Sequence, residues 1–472
     1  MASSPSARGA PARAAAPALR SDAGPFGVDY GAILACMHCG LCLPSCPTFQ
    51  LTGQEKHSPR GRIQMMRAIA DGELAVEGAF EDSMGFCLGC YACETACPAG
   101  VDYSALFEAA RAEVDRRAAE QGRLPRLKRL VLRHVFTSER RLRALGRAIR
   151  LTERLGLRRL GVRSGLLARL MPRLARLEPL APPIAPRFSD QLIGRRERPA
   201  GPPRYRVGML RGCVMNLAFA DVNRQTVDLL LACGAEVHTP DGQPCCGSLH
   251  GHNGDLETAR ALARRVIGAF EGALPLAAYD AIVVNAAGCG AFMKEYGHLL
   301  ASDPAWAARA ATFAARVRDV SEFLAAAERP APCRALPLRA TYHDACHLCH
   351  AQGITRQPRA LLAEVPGLEL APLPESTTCC GSAGIYNVLQ FDASMALLEK
   401  KMAAVRATGA GTVITGNPGC ALQLQEGGRR FGPPVEVLHP VTVLHRAWGL
   451  DTPEAARPNP TAETEPAQAR AV

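Results

Sequence analysis

The chain has 472 residues, 48% hydrophobic and 21% charged, with a formal net charge of +11, the proportions of a multidomain globular protein with several buried cores. No apolar run approaches the ~20 residues a membrane-spanning helix requires, and an aromatic content of 5% leaves little for base-stacking surfaces. The charge is uneven: residues 121–200 hold 21 Arg or Lys against 5 Asp or Glu, so the remainder is mildly acidic.

In chain order, residues 1–25 (Ala-, Arg-, Ser- and Pro-rich, with no acid before Asp22) predict a disordered tail, with an organelle transit peptide as the competing reading. Residues 26–112 hold two dense cysteine runs separated by a helical pattern at Arg62–Asp71. Residues 113–202 are Arg- and Leu-rich. Leu142, Leu145, Leu155, Leu166, Leu170, Leu174 and Leu177 suggest amphipathic helices that cover the α/β domains, or that meet anionic lipid or an acidic subunit instead. That segment closes on a Pro-rich stretch that reads as a linker. Residues 203–330 and 338–450 form two α/β units, and 451–472 predict a second disordered tail.

The two α/β units are a duplication visible in the cysteines. The first has Cys213, Cys245-Cys246-Gly247 and Cys289; the second has Cys346, Cys379-Cys380-Gly381 and Cys420. The gaps are 32 and 43 residues in one copy and 33 and 40 in the other. Short apolar runs at Tyr205–Leu210, Asp280–Val284, Ala340–His343 and Gly411–Thr415 predict buried strands, alternating with helices such as Asp255–Phe270 and Ala393–Thr408. Each outer cysteine follows a predicted strand, where open α/β sheets keep their sites. The fold class is therefore α plus α/β, multidomain.

Nineteen cysteines, most in tight groups of a long chain without a secretory leader, point to metal ligation in a reducing, cytoplasmic setting. The first run is Cys36-x2-Cys39-x2-Cys42-x3-Cys46-Pro47 and the second Cys87-x2-Cys90-x2-Cys93-x3-Cys97-Pro98. This is the spacing of bacterial two-cluster ferredoxins, in which the fourth cysteine of each run ligates the other [4Fe–4S] cluster. The expected sets are Cys36, Cys39, Cys42 and Cys97 for one cluster and Cys46, Cys87, Cys90 and Cys93 for the other. Zinc is the competing reading, but the repeated three-plus-one pattern favours iron–sulfur. Arg60 and Arg62 could offset cluster charge or simply lie on a solvated surface, and His38 reads as a hydrogen-bonding neighbour.

The long spacer resembles the α-helical ferredoxin domain of multi-subunit dehydrogenases, and the repeat resembles the CCG domain of heterodisulfide-reductase-type subunits. In its full form that motif ends in C-x-x-C; here Phe292 and Gln423 stand where the last cysteine would be. Each copy thus offers four thiolates (Cys213, Cys245, Cys246 and Cys289; Cys346, Cys379, Cys380 and Cys420) for a further cluster, or a thiol pair shaping a turn.

From about residue 28 to 448 the chain resembles the iron–sulfur subunits of glycolate oxidase. The resemblance rests on CMHCGLCLPSCPTF, SPRGRI, CLGCYACETACPAGV, GCVMN, NAAGCGAFMKEYGHLL, TYHDACH, CCGSAGIYN and GNPGC. It implies an oxidoreductase complex with FAD-binding partner subunits that convert glycolate to glyoxylate. The present chain would pass single electrons to a quinone or other acceptor, at most peripheral to the inner face of the membrane. The iron–sulfur subunits for lactate use and glycerol-3-phosphate oxidation share the architecture. Two different functions compete with electron relay: a CCG enzyme that reduces a disulfide, and a zinc-stabilised scaffold.

No G-x-G-x-x-G fingerprint follows a strand, so the flavin is expected on the partner, and no residue here need be catalytic. The basic charge carries no nucleic-acid motif. His343, His347 and His350 surround Cys346 as candidate ligands or proton gates, with hydrogen-bonded histidines the plainer reading. Cys233, Cys333 and Cys349 read as ordinary buried thiols. Lys294 and His298 could meet an anionic partner group.

Overall fold

The computed structural model describes residues 26–123 and 130–451; the segments expected as tails, 1–25 and 452–472, lie outside the described residues. Residues 26–120 form a helical unit. Its helix Pro59–Ala70 starts where Ser58 accepts a hydrogen bond from the Gly61 N–H (2.9 Å) and Pro59 fixes the first turn. The helix Tyr103–Glu120 starts at Asp102, whose carboxylate accepts from the Ala105 N–H at 3.1 Å. With the helix Ala79–Phe86 between them, these helices bury Ile63, Met66, Phe80, Met84, Leu106 and Phe107 in one core, and Cys36, Cys87, Cys93 and Cys97 pack against it.

Each repeat is built on four parallel strands, to which the first adds an antiparallel edge strand. In the first, β1 (Arg196–Glu197), β2 (Tyr205–Met209), β3 (Ala235–His238), β4 (Ala281–Val284) and β5 (Val317–Asp319) lie in the order β1-β3-β2-β4-β5. In the second, β6 (Leu338–Tyr342), β7 (Leu368–Ala371), β8 (Thr412–Ile414) and β9 (Glu436–Leu438) lie in the order β7-β6-β8-β9. Removing β1 leaves one topology twice. β4 reads Ala-Ile-Val-Val with every residue buried, as strands covered on both faces must. β1 falls inside the stretch read as a linker: it pairs antiparallel with β3, and Phe188 and Ile193 just before it are buried.

The two copies share a core instead of standing apart. The first long helix of each (Ala220–Ala232; Arg356–Ala363) packs against the last helix of the other (Pro440–Ala447; Val320–Ala326), a reciprocal contact. Across it Asp228 meets His445 Nε2 at 3.1 Å, and Thr442 donates to Gln225 at 2.7 Å.

The Arg/Leu segment departs from its expected role. Leu142 packs on Phe188 and Leu217, but Leu145, Leu155, Leu170 and Leu174 are exposed. The helices there are short after Arg154, and glycines in the left-handed conformation (Gly156, Gly165) turn the chain before a continuous apolar face can dock. The exposed leucines therefore do not cover the α/β domains, whereas Leu180, at the end of the segment, packs on the core of the second repeat. Among the described residues no helix is long and apolar enough to cross a membrane.

Candidate iron–sulfur sites

The two cysteine runs fold alike. In each, the second and fourth residues after the first cysteine take positive φ: His38 (56°) and Gly40 (84°) in one, Gly89 (61°) and Tyr91 (59°) in the other. Two left-handed residues curl each seven-residue loop. Arg60 braces the first loop, donating to the His38 carbonyl at 3.1 Å while it pairs with Glu55 at 2.7 Å.

Thiols of the two runs lie close to one another. The electrostatic neighbours of Cys36 include Cys97 and Cys39, those of Cys42 include Cys36 and Cys46, and those of Cys93 include Cys90, Cys87, Glu94 and Cys46. A cavity is lined by Cys46, Cys87, Cys90 and Cys93 together with Arg62 and Tyr103. The sets differ in depth: Cys39 is exposed, whereas Cys46, Cys87 and Cys90 are buried. Around the outer set stands an apolar rim of Tyr30, Leu34, Met37 and Leu41.

Arg62 is not on a solvated surface. It is 1% exposed and donates to the Ser83 carbonyl (3.0 Å) and Thr48 Oγ1 (3.2 Å), and no ion pair with a carboxylate is formed among the described residues. Burial works against its charge, but Cys87, Tyr103 and Cys46 outweigh that and raise its pKa. A buried cation beside the inner thiols, with Arg111 as a second cation nearby, fits an anionic cluster on the inner four cysteines.

In each repeat the cysteines sit past the carboxyl ends of three adjacent parallel strands, at the topological switch point. Cys213 and Cys245 are 3.7 Å apart at sulfur, and thiol contacts continue through Cys246 to Cys289. The second copy runs likewise from Cys346 through Cys379 and Cys380 to Cys420. Contact with Cys245 and then burial hold the Cys213 thiol far above its ordinary pKa; contact with Cys379 and then burial do the same for Cys346. Such thiols ionise when a metal supplies positive charge. Gly247 (φ +92°) and Gly381 (φ +88°) make the turns after the paired cysteines.

The ferredoxin-type unit docks on the second copy. Leu88, Cys90 and Ala92 pack with Cys379, Tyr386 and Leu397, with Cys346 alongside. His347 Nε2 meets the Gly89 carbonyl at 2.9 Å, and Tyr91 stacks on His347 at 5.3 Å. His350 bonds Thr95 Oγ1 (2.9 Å) and the Thr377 carbonyl. His347 and His350 are thus hydrogen-bonded tethers. His343 is different: it is fully buried and neither ring nitrogen has a hydrogen-bond partner. Cys233 and Cys349 are buried thiols as expected; Cys333 is exposed, because its short inter-repeat segment lies on the surface. Lys294 is occupied by Glu322 at 2.8 Å.

Sequence reasoning missed Tyr91, His252, Glu108 and Lys401. His252 Nδ1 approaches Glu108 (3.2 Å) and Tyr91 (3.5 Å), closing the floor of a largely apolar cleft of about 200 Å³ between the helix Tyr103–Glu120 and the first repeat. Nothing in local pattern marks His252 or Glu108. Lys401 was findable, as a cation on the apolar stripe of Met395, Leu398, Met402 and Val405.

The comparisons with known proteins follow this division. Residues 32–101 match the 4Fe-4S dicluster domain family, and 207–294 and 340–425 each match the cysteine-rich CCG domain. Residues 123–181 match the linker region of the glycolate oxidase iron-sulfur subunit. The probable glycolate oxidase iron-sulfur subunit of Bacillus subtilis is 40% identical over 90% of this chain and 96% of its own length. The chain belongs to the glycolate oxidase iron–sulfur subunit family. The Escherichia coli glycolate oxidase iron-sulfur subunit is 31% identical over 88% of this chain and 93% of its own. Lactate utilization protein A of Bacillus licheniformis matches at 35% over 51% of this chain, although 99% of that protein is covered. Membership accounts for the Arg/Leu segment as a family feature, since the linker match covers it.

Proposed function

We propose that this chain is the electron-carrying subunit of a flavin-dependent glycolate-oxidising complex. It takes single electrons from FAD on a partner subunit and delivers them to a quinone or other acceptor. The observation that carries this reading is the serial placement of the cysteines: a more exposed set, a more buried set, then the second repeat in direct packing contact. When bound, [4Fe–4S] clusters would supply one-electron carriers at Cys36, Cys39, Cys42 and Cys97 and at Cys46, Cys87, Cys90 and Cys93. The protein's part is to hold the thiolates, exclude water from the inner set and place Arg62 against its charge.

The apolar rim of Tyr30, Leu34, Met37 and Leu41 around the outer set is where this reading docks the FAD-binding partner. The cleft over Tyr91 and His252, beside the inner set, is where it places the acceptor. Ala105→Trp, which fills that cleft, should stop reduction of a short-chain quinone and spare dye reduction; unchanged quinone reduction removes the assignment.

The principal test is Cys39→Ser in the reconstituted complex, which should abolish glycolate-dependent dye reduction while FAD reduction by glycolate persists. Intact dye reduction defeats the relay role. Glycolate is preferred over lactate because the lactate-utilisation relatives match only half of this chain. Disulfide-reducing chemistry is disfavoured by Phe292 and Gln423 at the position of the missing cysteines. A scaffold is excluded by finding iron with acid-labile sulfide; zinc alone excludes the relay.

A further inference from the structure

The two repeats share one topology, yet their thiol sites have different surroundings. In the first, Leu210 follows β2, the buried stripe of the helix Leu256–Ala273 offers Val266 and Ile267, and Phe292 packs over the turn glycines. No His or Lys takes these positions, and the Tyr296 hydroxyl near the thiols is occupied by the Cys246 carbonyl at 2.6 Å. In the second, the position of Leu210 is His343, the matching helix carries Lys401, and Gln423 replaces Phe292. Lys401 is 3% exposed, has Cys380, Cys379 and Cys420 among its electrostatic neighbours, and is anchored on the Glu375 carbonyl at 2.5 Å. Gln423 is held by Ser394 (2.9 Å) and Asn387 (3.1 Å), so it closes the site without entering it as a ligand.

His343 is the residue these contacts leave unexplained. Its backbone N–H continues the ladder to the Ile414 carbonyl at 2.9 Å, which fixes it at the carboxyl edge of the sheet. Its side chain is fully buried with both nitrogens unbonded; the Ser376 backbone lies nearby but outside hydrogen-bond geometry. Its ring nitrogen and the sulfurs of Cys380 and Cys420 lie within 4.8 Å of one another. A buried imidazole without partners is retained where something else bonds it. We infer that the second repeat alone builds a third iron–sulfur centre, on Cys346, Cys379, Cys380 and Cys420, with the His343 imidazole as a nitrogen ligand. His343 stands in for the absent fifth cysteine, approaching from the strand end instead of the helix. Lys401 offsets the charge of the thiolates, and Cys90 is packed next to Cys346 and Cys379. The first repeat has neither a fifth donor nor a cation, and its thiols carry no such centre.

The inference concerns this chain's metal content and is independent of which hydroxy acid the complex oxidises. The test is iron and sulfide per chain on the anaerobically purified full chain, with pulsed EPR for ¹⁴N coupling. The expected result is about twelve irons and a nitrogen-coupled signal distinct from the ferredoxin-type ones. His343→Leu, which copies the residue of the first repeat, should lower iron to about eight and remove the nitrogen coupling. His343→Cys should restore the iron without the coupling, which separates ligand loss from misfolding. Cys289→Ser should leave both unchanged. About eight irons in the wild type, no ¹⁴N coupling, or His343→Leu with unaltered iron would each overturn the proposal while leaving the two-cluster relay standing. Protein lacking iron and sulfide altogether would overturn both.

Discussion

Replacing Arg62 with Gln keeps a hydrogen-bonding side chain but removes a buried positive charge beside the inner cysteines. Arg62 Nη2 lies 3.2 Å from Thr48 Oγ1, which lies 3.3 Å from Cys46 Sγ, so the guanidinium is within about 6.5 Å of a cluster ligand. At an effective dielectric near 20 a unit charge at that distance contributes about 2.5 kcal/mol to each electron added. For a one-electron couple this is roughly 100 mV. The midpoint of the inner cluster should therefore fall by about that amount in Arg62→Gln, and by far less in Arg62→Lys, while the outer cluster stays near its wild-type value. A redox titration followed by EPR reads both. An unchanged inner midpoint in a variant that retains its iron would refute the charge argument. A fall of equal size at both clusters would refute the assignment of Arg62 to the inner set.

Cys97→Ser should remove the EPR signal of the exposed cluster and spare the buried one, although Cys97 belongs to the second run; loss of the buried signal instead would rule out the crossed ligand sets. Gly381→Ala puts a Cβ at φ +88° and 2.6 Å from the Ser394 carbonyl oxygen, so it should cost about 2–3 kcal/mol in an unfolding titration. Gly242→Ala (φ +69°, open space around it) should cost nearer 1 kcal/mol, and equal losses would show that the turn after Cys380 is not tight. His439 accepts from the Val441 N–H on Nδ1 and meets the Asn285 carbonyl with Nε2 at 3.0 Å, which requires the neutral ring. Burial lowers its pKa from 6.5 to about 4. Because the folded value is depressed, its contribution is complete above pH 6.5 and is lost as pH falls toward 4. It amounts to about 1–3 kcal/mol, nearer the lower figure because the residue is only half-buried. The melting temperature should show that dependence, and His439→Asn should flatten it; a parallel decline in both proteins would remove His439 as the cause.

The sequence by itself determined what depends on local spacing. The three-plus-one runs, the duplicated cysteine pattern, and four of the strands (β2, β4, β6 and β8) follow from short-range rules. A cluster loop needs its thiols a fixed few residues apart, and a buried parallel strand needs an unbroken apolar run. The strands that escaped are β1, β3, β5, β7 and β9. They lie nearer the sheet edges, and they include polar residues such as Glu236 and Arg318. Only the tertiary structure decided which cysteine set is buried, that Arg62 is enclosed, that the copies pack helices into one shared core, and that Leu155, Leu170 and Leu174 face outward. It also separated His343 from His347 and His350, which look alike in sequence. What a histidine does depends on whether its nitrogens find partners, and those partners (Gly89, Thr95, Thr377) are brought to two of the three by folding and withheld from the third.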